Sequence, residues 1–298
     1  MSRLGRSAAV AGAVILGLGL AAETLHARDT EYALPGAAEN LLYLRSGRVA
    51  SRLMLSFKGV AADVYWIRAI QHYGRERKSD RITGRFDLLQ PLLDLTTTLD
   101  PRFNIAYRFG AIFLSLEPPN GPARPDQAIS LLEKGLGANP TRWQYAHDIA
   151  FINYWYTGDK VAAAHWFERA AAMPGAPAWI RPLAATTLVE GGDREGARQM
   201  LSELRNSEEQ YVRSAAERGL AQLRALDDLD HLTELVSTFL ASTGRYPNDL
   251  GELMRASGYH SVPVDPTREP YAYNSVTHVV SLSTHSSLNP LPRTLKAK

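Results

Sequence analysis

The sequence predicts an all-α protein, an α-solenoid of stacked helical hairpins, from three observations. Pro140 and Pro174 lie 34 residues apart, as do Gly158 and Gly192, Ala163 and Ala197, and Phe167 and Leu201. Within each copy a small residue is followed four positions later by a large one, as in Ala128 and Leu132, Ala163 and Phe167, and Ala197 and Leu201. On a helix such a pair shares one face: the small residue admits a neighbouring helix and the large one fills the space a turn away. A fixed period of this length marks hairpins that bury their apolar faces on one another. Lastly, 298 residues, 45% hydrophobic and 21% charged, suffice for a sizeable core and more than one structural unit.

Charge and composition narrow the function classes. A formal net charge of +2 gives no footprint for a nucleic-acid partner. The absence of cysteine excludes disulfides, iron–sulfur ligation, thiol catalysis and a lipoprotein anchor.

In chain order, Arg3 and Arg6 precede an unbroken apolar run of 15 residues, Ala8 to Ala22. That length is the upper edge of a signal-peptide core and short of the roughly 20 residues that span a bilayer. Residues 1–27 are therefore read as a signal peptide or an uncleaved anchor, with a buried soluble helix as the alternative. Arginines before the run and Glu23 after it favour a cytoplasmic N-terminus and a translocated body. The expected location is the inner membrane, single-pass with a periplasmic body, or the soluble periplasm if the leader is cleaved.

Residues 28–40 form a linker with a Pro35-Gly36 turn, and residues 41–243 the helical array. A helix interrupted near Gly47 is expected over 41–59. From Val60 to Tyr73 the spacing of Val60, Val64, Ile67 and Ile70, with Trp66, gives an amphipathic helix. Phe86 to Leu99 is its partner, with Pro91 requiring a break or a place in the first turn. Asp100-Pro101 and Asn139-Pro140 close successive hairpins, and residues 117–125 loop out between two helices. Ser207 to Ala225 and Leu229 to Thr243 are expected as two capping helices, with an N-cap in Asp227–Asp230 between them. Tyr211, Ala215, Leu220 and Leu223 supply the apolar face of the first, and Leu232, Leu235, Val236 and Phe239 that of the second. At Gly244 the chain changes to proline and glycine turns with alternating aromatic and β-branched residues. Residues 244–288 are thus a small α/β or irregular appendage with a strand at Val276–Leu282, and residues 289–298 a flexible basic tail.

The repeat resembles the tetratricopeptide repeat. Tyr154, Gly158, Ala163, Phe167 and Ala170 fall on its tyrosine, turn glycine, small residue, phenylalanine and small residue. The next copy supplies Leu188, Gly192, Ala197 and Leu201, and the preceding one Gly110, Ala128, Leu132 and Pro140. Phe151 stands where the repeat prefers glycine and His147 where it prefers tryptophan. Ala61–Gly74 with Leu92–Phe103 resembles bacterial membrane-associated tetratricopeptide-repeat proteins, which implies an envelope location. Residues 239–284 resemble the C-terminal region of the major pseudopilin of type II secretion through Tyr246-Pro247, Asp265-Pro266, Pro270, Tyr271 and Tyr273. Thr267-Arg268 replaces the usual tryptophan-glycine, and the leader has no pilin-type processing signal, so this likeness implies folding logic rather than polymerisation.

No metalloprotease helix, nucleophile elbow or phosphate loop occurs in the sequence. His147 and His165 read as ordinary helix residues, and Asp63, Asp94 and Asp148 form no acid–base pair by spacing. The expectation is a non-enzymatic scaffold or assembly factor of the bacterial envelope with a protein or peptide partner and no cofactor, metal, nucleic acid or small-molecule substrate. A structural part of a type II secretion or type IV pilus-like machine is the alternative. The repeat resemblance implies that the first helix of each hairpin lines a binding surface. It assigns to that surface Asn104, Tyr107, Ala111 and Leu114, then Tyr145, Asp148, Ile152, Trp155 and Tyr156, then Trp179 and Thr186. The alternative is that most of these aromatics simply fill the hairpin core, Tyr154, Trp166 and Phe167 above all.

Overall fold

A computed structural model describes residues 54–79 and 86–293, with Gly17, Gly19, Leu20, Ala21, Glu23 and Thr24 near the start. The chain divides into a unit of residues 1–45 and a unit of residues 46–298. In the first, the six described residues are helical; the rest of the apolar leader, the linker and the expected helix before residue 54 lie outside the described residues. Among the described residues no helix is long and apolar enough to cross a membrane.

The second unit is mostly helical. Helices α1 (Lys58–Arg77), α2 (Leu89–Leu99), α3 (Asn104–Ser115), α4 (Pro125–Ala138), α5 (Trp143–Ile152), α6 (Lys160–Ala171), α7 (Ile180–Glu190) and α8 (Arg194–Leu204) pack in succession. Helix α9 (Gln210–Thr243), a short α10 (Leu250–Ala256) and strands β1 (Ala272–Asn274) and β2 (Val279–Ser281) complete it.

Local chemistry explains the repeated turns. Gly158 and Gly192 take left-handed backbone angles, φ 75° and 90°, where a side chain would be strained. The aspartate after each caps the next helix: Asp159 accepts from the Ala162 amide and Asp193 from the Gly196 amide, both at 2.8 Å. Between pairs, the Asn139 side-chain amide donates to the Pro101 carbonyl at 2.8 Å, tying one proline turn to the next. Pro91 is the third residue of α2, where no intrahelical N–H bond is lost. Thr96 and Thr97 are fully buried there because their hydroxyls donate to the Leu92 and Leu93 carbonyls.

Helix α1 turns the opposite way from the expected one. Its buried side is Ala61, Ala62, Tyr65, Ala69, His72, Tyr73 and Glu76, whereas Val60, Val64, Ile67 and Ile70 are 62, 42, 52 and 41% exposed. Both sides are apolar, and the alanines decide because they allow α2 to approach more closely than branched residues would.

The two expected capping helices are one continuous helix, α9, of 34 residues. Asp227–Asp230 is no cap; Asp227 pairs with Arg194 and Arg198, Asp230 with Arg194, and Asp228 accepts from the Tyr271 hydroxyl at 2.8 Å. Burial and that hydrogen bond push the Tyr271 phenol well above its ordinary range. Along the first half of α9 the buried face is Val212, Ala216 and Leu223, and Tyr211 points outward.

Residues 244–293 pack on the second half of α9 around Phe239, Leu253, Met254, Tyr271, Val280 and Leu288. Strand β2 is shorter than expected, with Val276 exposed in the turn before it, and pairs antiparallel with β1 through Tyr273 and Val280. Asp265 anchors the loop: its carboxylate accepts from Ser286, from the Thr267 hydroxyl and from the Thr267 and Glu269 amides. Burial pushes its pKa up, but these donors outweigh burial and leave it below the usual range. The expected free tail is partly fixed, since Arg218 donates to the Asn289 carbonyl and Gln222 to those of Leu288 and Pro290. Residues 294–298 lie outside the described residues.

The first turn of α10 supplies a pH prediction. Asp249 accepts from the Glu252 amide at 2.7 Å, while Glu252 accepts from the Asn248 amide and pairs with Arg245. The Arg245 hydrogen bond, then the Asn248 amide, holds the Glu252 carboxyl at about 2. A depressed carboxylate stabilises the fold above its unfolded value and loses that contribution as pH falls through the folded one. NMR titration is therefore expected to show Glu252 and the α10 amides unchanged at pH 4 and moving together near pH 2; an ordinary midpoint near 4.5 would refute the cap.

Candidate apolar interaction face

The arrangement around α3 and α5 follows from where small residues sit. On α3, Ala106, Gly110 and Ala111 point into the core, and a Cβ on Gly110 would lie 2.7 Å from Leu93 and 3.1 Å from Leu131. A larger residue there would displace the ends of both leucine side chains, so the glycine favours this rotation of the helix. The side it leaves outward carries Ile105, Phe109 and Ile112, 53, 51 and 46% exposed, at positions i, i+4 and i+7. Phe109 meets Phe113 at 6.4 Å between ring centres, and Phe113 stacks on Tyr73 of α1 at 4.1 Å.

Helix α5 presents Phe151 and, one turn later, Trp155, 6.2 Å apart. Trp155 is 65% exposed because α5 ends in a π-helical turn, Asn153–Thr157, held from both sides. Buried Asn153 donates to the Ile149 carbonyl at 3.0 Å. The Tyr154 hydroxyl donates to Glu190 of α7, and Lys160 lies 3.6 Å from the same carboxylate and 3.0 Å above the Tyr154 ring. Burial first, and the Glu190 bond second, pushes the Tyr154 phenol up to about 12, so this latch stays protonated at neutral pH.

The two helices are joined by a charge-assisted fork. Arg108 Nε and Nη2 reach the two Asp148 oxygens at 2.5 and 3.0 Å, beside buried Tyr107 and Tyr145, whose rings meet at 5.3 Å. His147 packs its ring among Trp143, Phe167 and Trp179 at 5.5–6.0 Å, leaving Trp179 42% exposed.

The expected surface residues therefore divide. Tyr107, Ala111, Leu114, Tyr145 and Ile152 are core residues, enclosed because they share the face of the small residues that sets the crossing. Asn104 and Tyr156 are half-buried. Asp148 is half-buried and committed to Arg108. Trp155, Trp179 and Thr186 face outward. Sequence reasoning missed Ile105, Phe109, Ile112 and Phe151, although the Ala106–Gly110 pair, four residues apart, marks the opposite side of α3 as buried.

The acidic residues considered for acid–base work are separated. Asp94 holds Lys134, whose ammonium also meets the Thr97 and Thr98 hydroxyls, Asp148 holds Arg108, and Asp63 is exposed on α1. Among the described residues no three metal-ligating side chains come together. What the α3–α5 face offers chemically is apolar and aromatic contact with a fixed cation–anion pair beside it. No protein-family profile, curated protein or solved structure matches this chain.

Proposed function

We propose that this chain is a non-enzymatic scaffold or assembly factor of the bacterial envelope, an α-solenoid of tetratricopeptide-like hairpins that holds an apolar peptide or helix on α3 and α5. The observation that carries the reading is a division between alternate helices. From α1 to α6, large exposed apolar side chains occur on α1, α3 and α5, whereas α2 and α4 have none and α6 has only Val161, in its first turn; α7 and α8 have none within their bounds, and Trp179 stands just before α7. A core needs no such division; a binding surface formed by the first helix of each hairpin produces it. Ile105, Phe109 and Ile112 at i, i+4 and i+7, with Phe151 and Trp155 at i and i+4, give apolar strips on which the apolar face of a partner helix can lie.

The test is a double variant, Phe151→Ala with Trp155→Ala. An exposed aromatic anchor contributes about 2 kcal/mol or more to binding, so partner capture from mildly solubilised membranes is expected to fall at least about thirtyfold. The urea melt is expected to move far less than for a core truncation. Crosslink mapping places the partner: adducts on α3 and α5 support the proposal, and undiminished capture by a folded variant removes it.

A further inference from the structure

We infer that the outward side of α1 is a docking surface for an anionic lipid bilayer. The inference deepens the envelope reading and rests on its membrane association. Positions 60, 64, 67, 71, 75 and 78 follow one another at three- and four-residue steps and so share one side of the helix. That row reads Val60, Val64, Ile67, Gln71, Arg75 and Lys78, all exposed. Phe57, 71% exposed in the turn before the helix, Ile70 at its edge and Arg68 at its other edge widen it. The row is thus apolar through the first turns and basic through the last, with Asp63 as the acidic residue beside it. Opposite it, Ala62, Ala69 and Tyr65 are buried against the rest of the fold, so a surface that covers the outer row need not unfold α1.

The charge selects the occupant. A helix with an apolar strip and cationic side chains lies in the interface of a bilayer, with the strip among acyl chains and the cations at headgroup level. Lysine and arginine at that depth favour anionic lipid. The α3–α5 face lacks this signature, because its cation, Arg108, is already matched by Asp148. Chain position agrees: 35 residues separate the end of the apolar run at Ala22 from Lys58. A run held in the bilayer keeps the start of α1 within roughly 120 Å of that surface even at full extension.

The chain has no cysteine, so single labels can be placed in the full-length protein without removing any. An environment-sensitive fluorophore is attached at Ile67→Cys and, as a control, at Val276→Cys, which is 84% exposed in the C-terminal segment. Each protein is reconstituted into phosphatidylethanolamine vesicles with phosphatidylglycerol and into purely zwitterionic vesicles. The Ile67→Cys label is expected to shift to the blue and resist an aqueous quencher on the anionic vesicles alone, with the Val276→Cys label quenched on both. Arg75→Gln and Lys78→Gln are expected to weaken this shielding about fivefold per charge removed. Shielding equal on both vesicle types overturns the inference, since a covering protein segment is indifferent to lipid charge. Free quenching on anionic vesicles that carry the protein overturns it too, leaving the scaffold reading intact. Failure to float with either vesicle removes membrane association itself.

Discussion

Replacing Phe167 by alanine is expected to lower stability by about 3–5 kcal/mol, the cost of emptying an enclosed phenylalanine site. Phe167 is 3% exposed on α6, with its ring 5.5 Å from His147 and with Ala163 one turn away on the same buried face. Neighbours on α5 and α6 are fixed by the capped turn at Gly158-Asp159, so they close the cavity only in part. A urea titration is expected to show a lower midpoint with the same slope, because the surface exposed on unfolding hardly changes. Tyr156→Ala, at a half-buried position in the π-helical turn, is expected to cost much less. A neutral Phe167→Ala beside a collapsing Tyr156→Ala would mean that the assigned faces of α5 and α6 are exchanged.

The parts of the fold legible in the sequence are those set by local chemistry. Gly158 and Gly192 read as turn glycines and both take the left-handed conformation; the aspartate after each, which the repeat pattern leaves aside, caps the next helix. Ala163 with Phe167 and Ala197 with Leu201 mark buried helix faces for the same reason. The outward faces were harder to read, because α1 and α3 are apolar on both sides. Val60, Val64 and Ile67 satisfy a helical period as well as Ala62, Tyr65 and Ala69 do, and periodicity has no term for how closely two helices must cross. The repeat resemblance puts Tyr107 and Leu114 on the binding surface, whereas the small residues Ala106, Gly110 and Ala111 turn that side of α3 into the core. Trp155 is exposed, and so is its companion Phe151, which in the sequence stands out only as a departure from the repeat's glycine.

The largest departure, at Asp227–Asp230, has a definite cause and a decisive test. Three aspartates in four residues read locally as a helix start, yet their partners are Arg194, Arg198 and Tyr271, far away in sequence. With those partners in place the carboxylates need no helix end, and α9 runs through. The consequence is mechanical, since α9 lends Val212, Ala216 and Leu223 to the core beneath α7 and α8, and Leu232, Val236 and Phe239 to the core of the C-terminal segment. Leu229→Pro separates the two descriptions. At the first position of a helix capped by Asp228, proline is tolerated and stability would be unchanged. In the interior of one helix it removes the amide that bonds the Ala225 carbonyl and drives its ring against that carbonyl, costing about 3 kcal/mol or more. Calorimetry of the variant is expected to resolve two transitions, one for each core, where the parent gives one. A single transition at the parental temperature would show that the chain has the break its aspartates suggest.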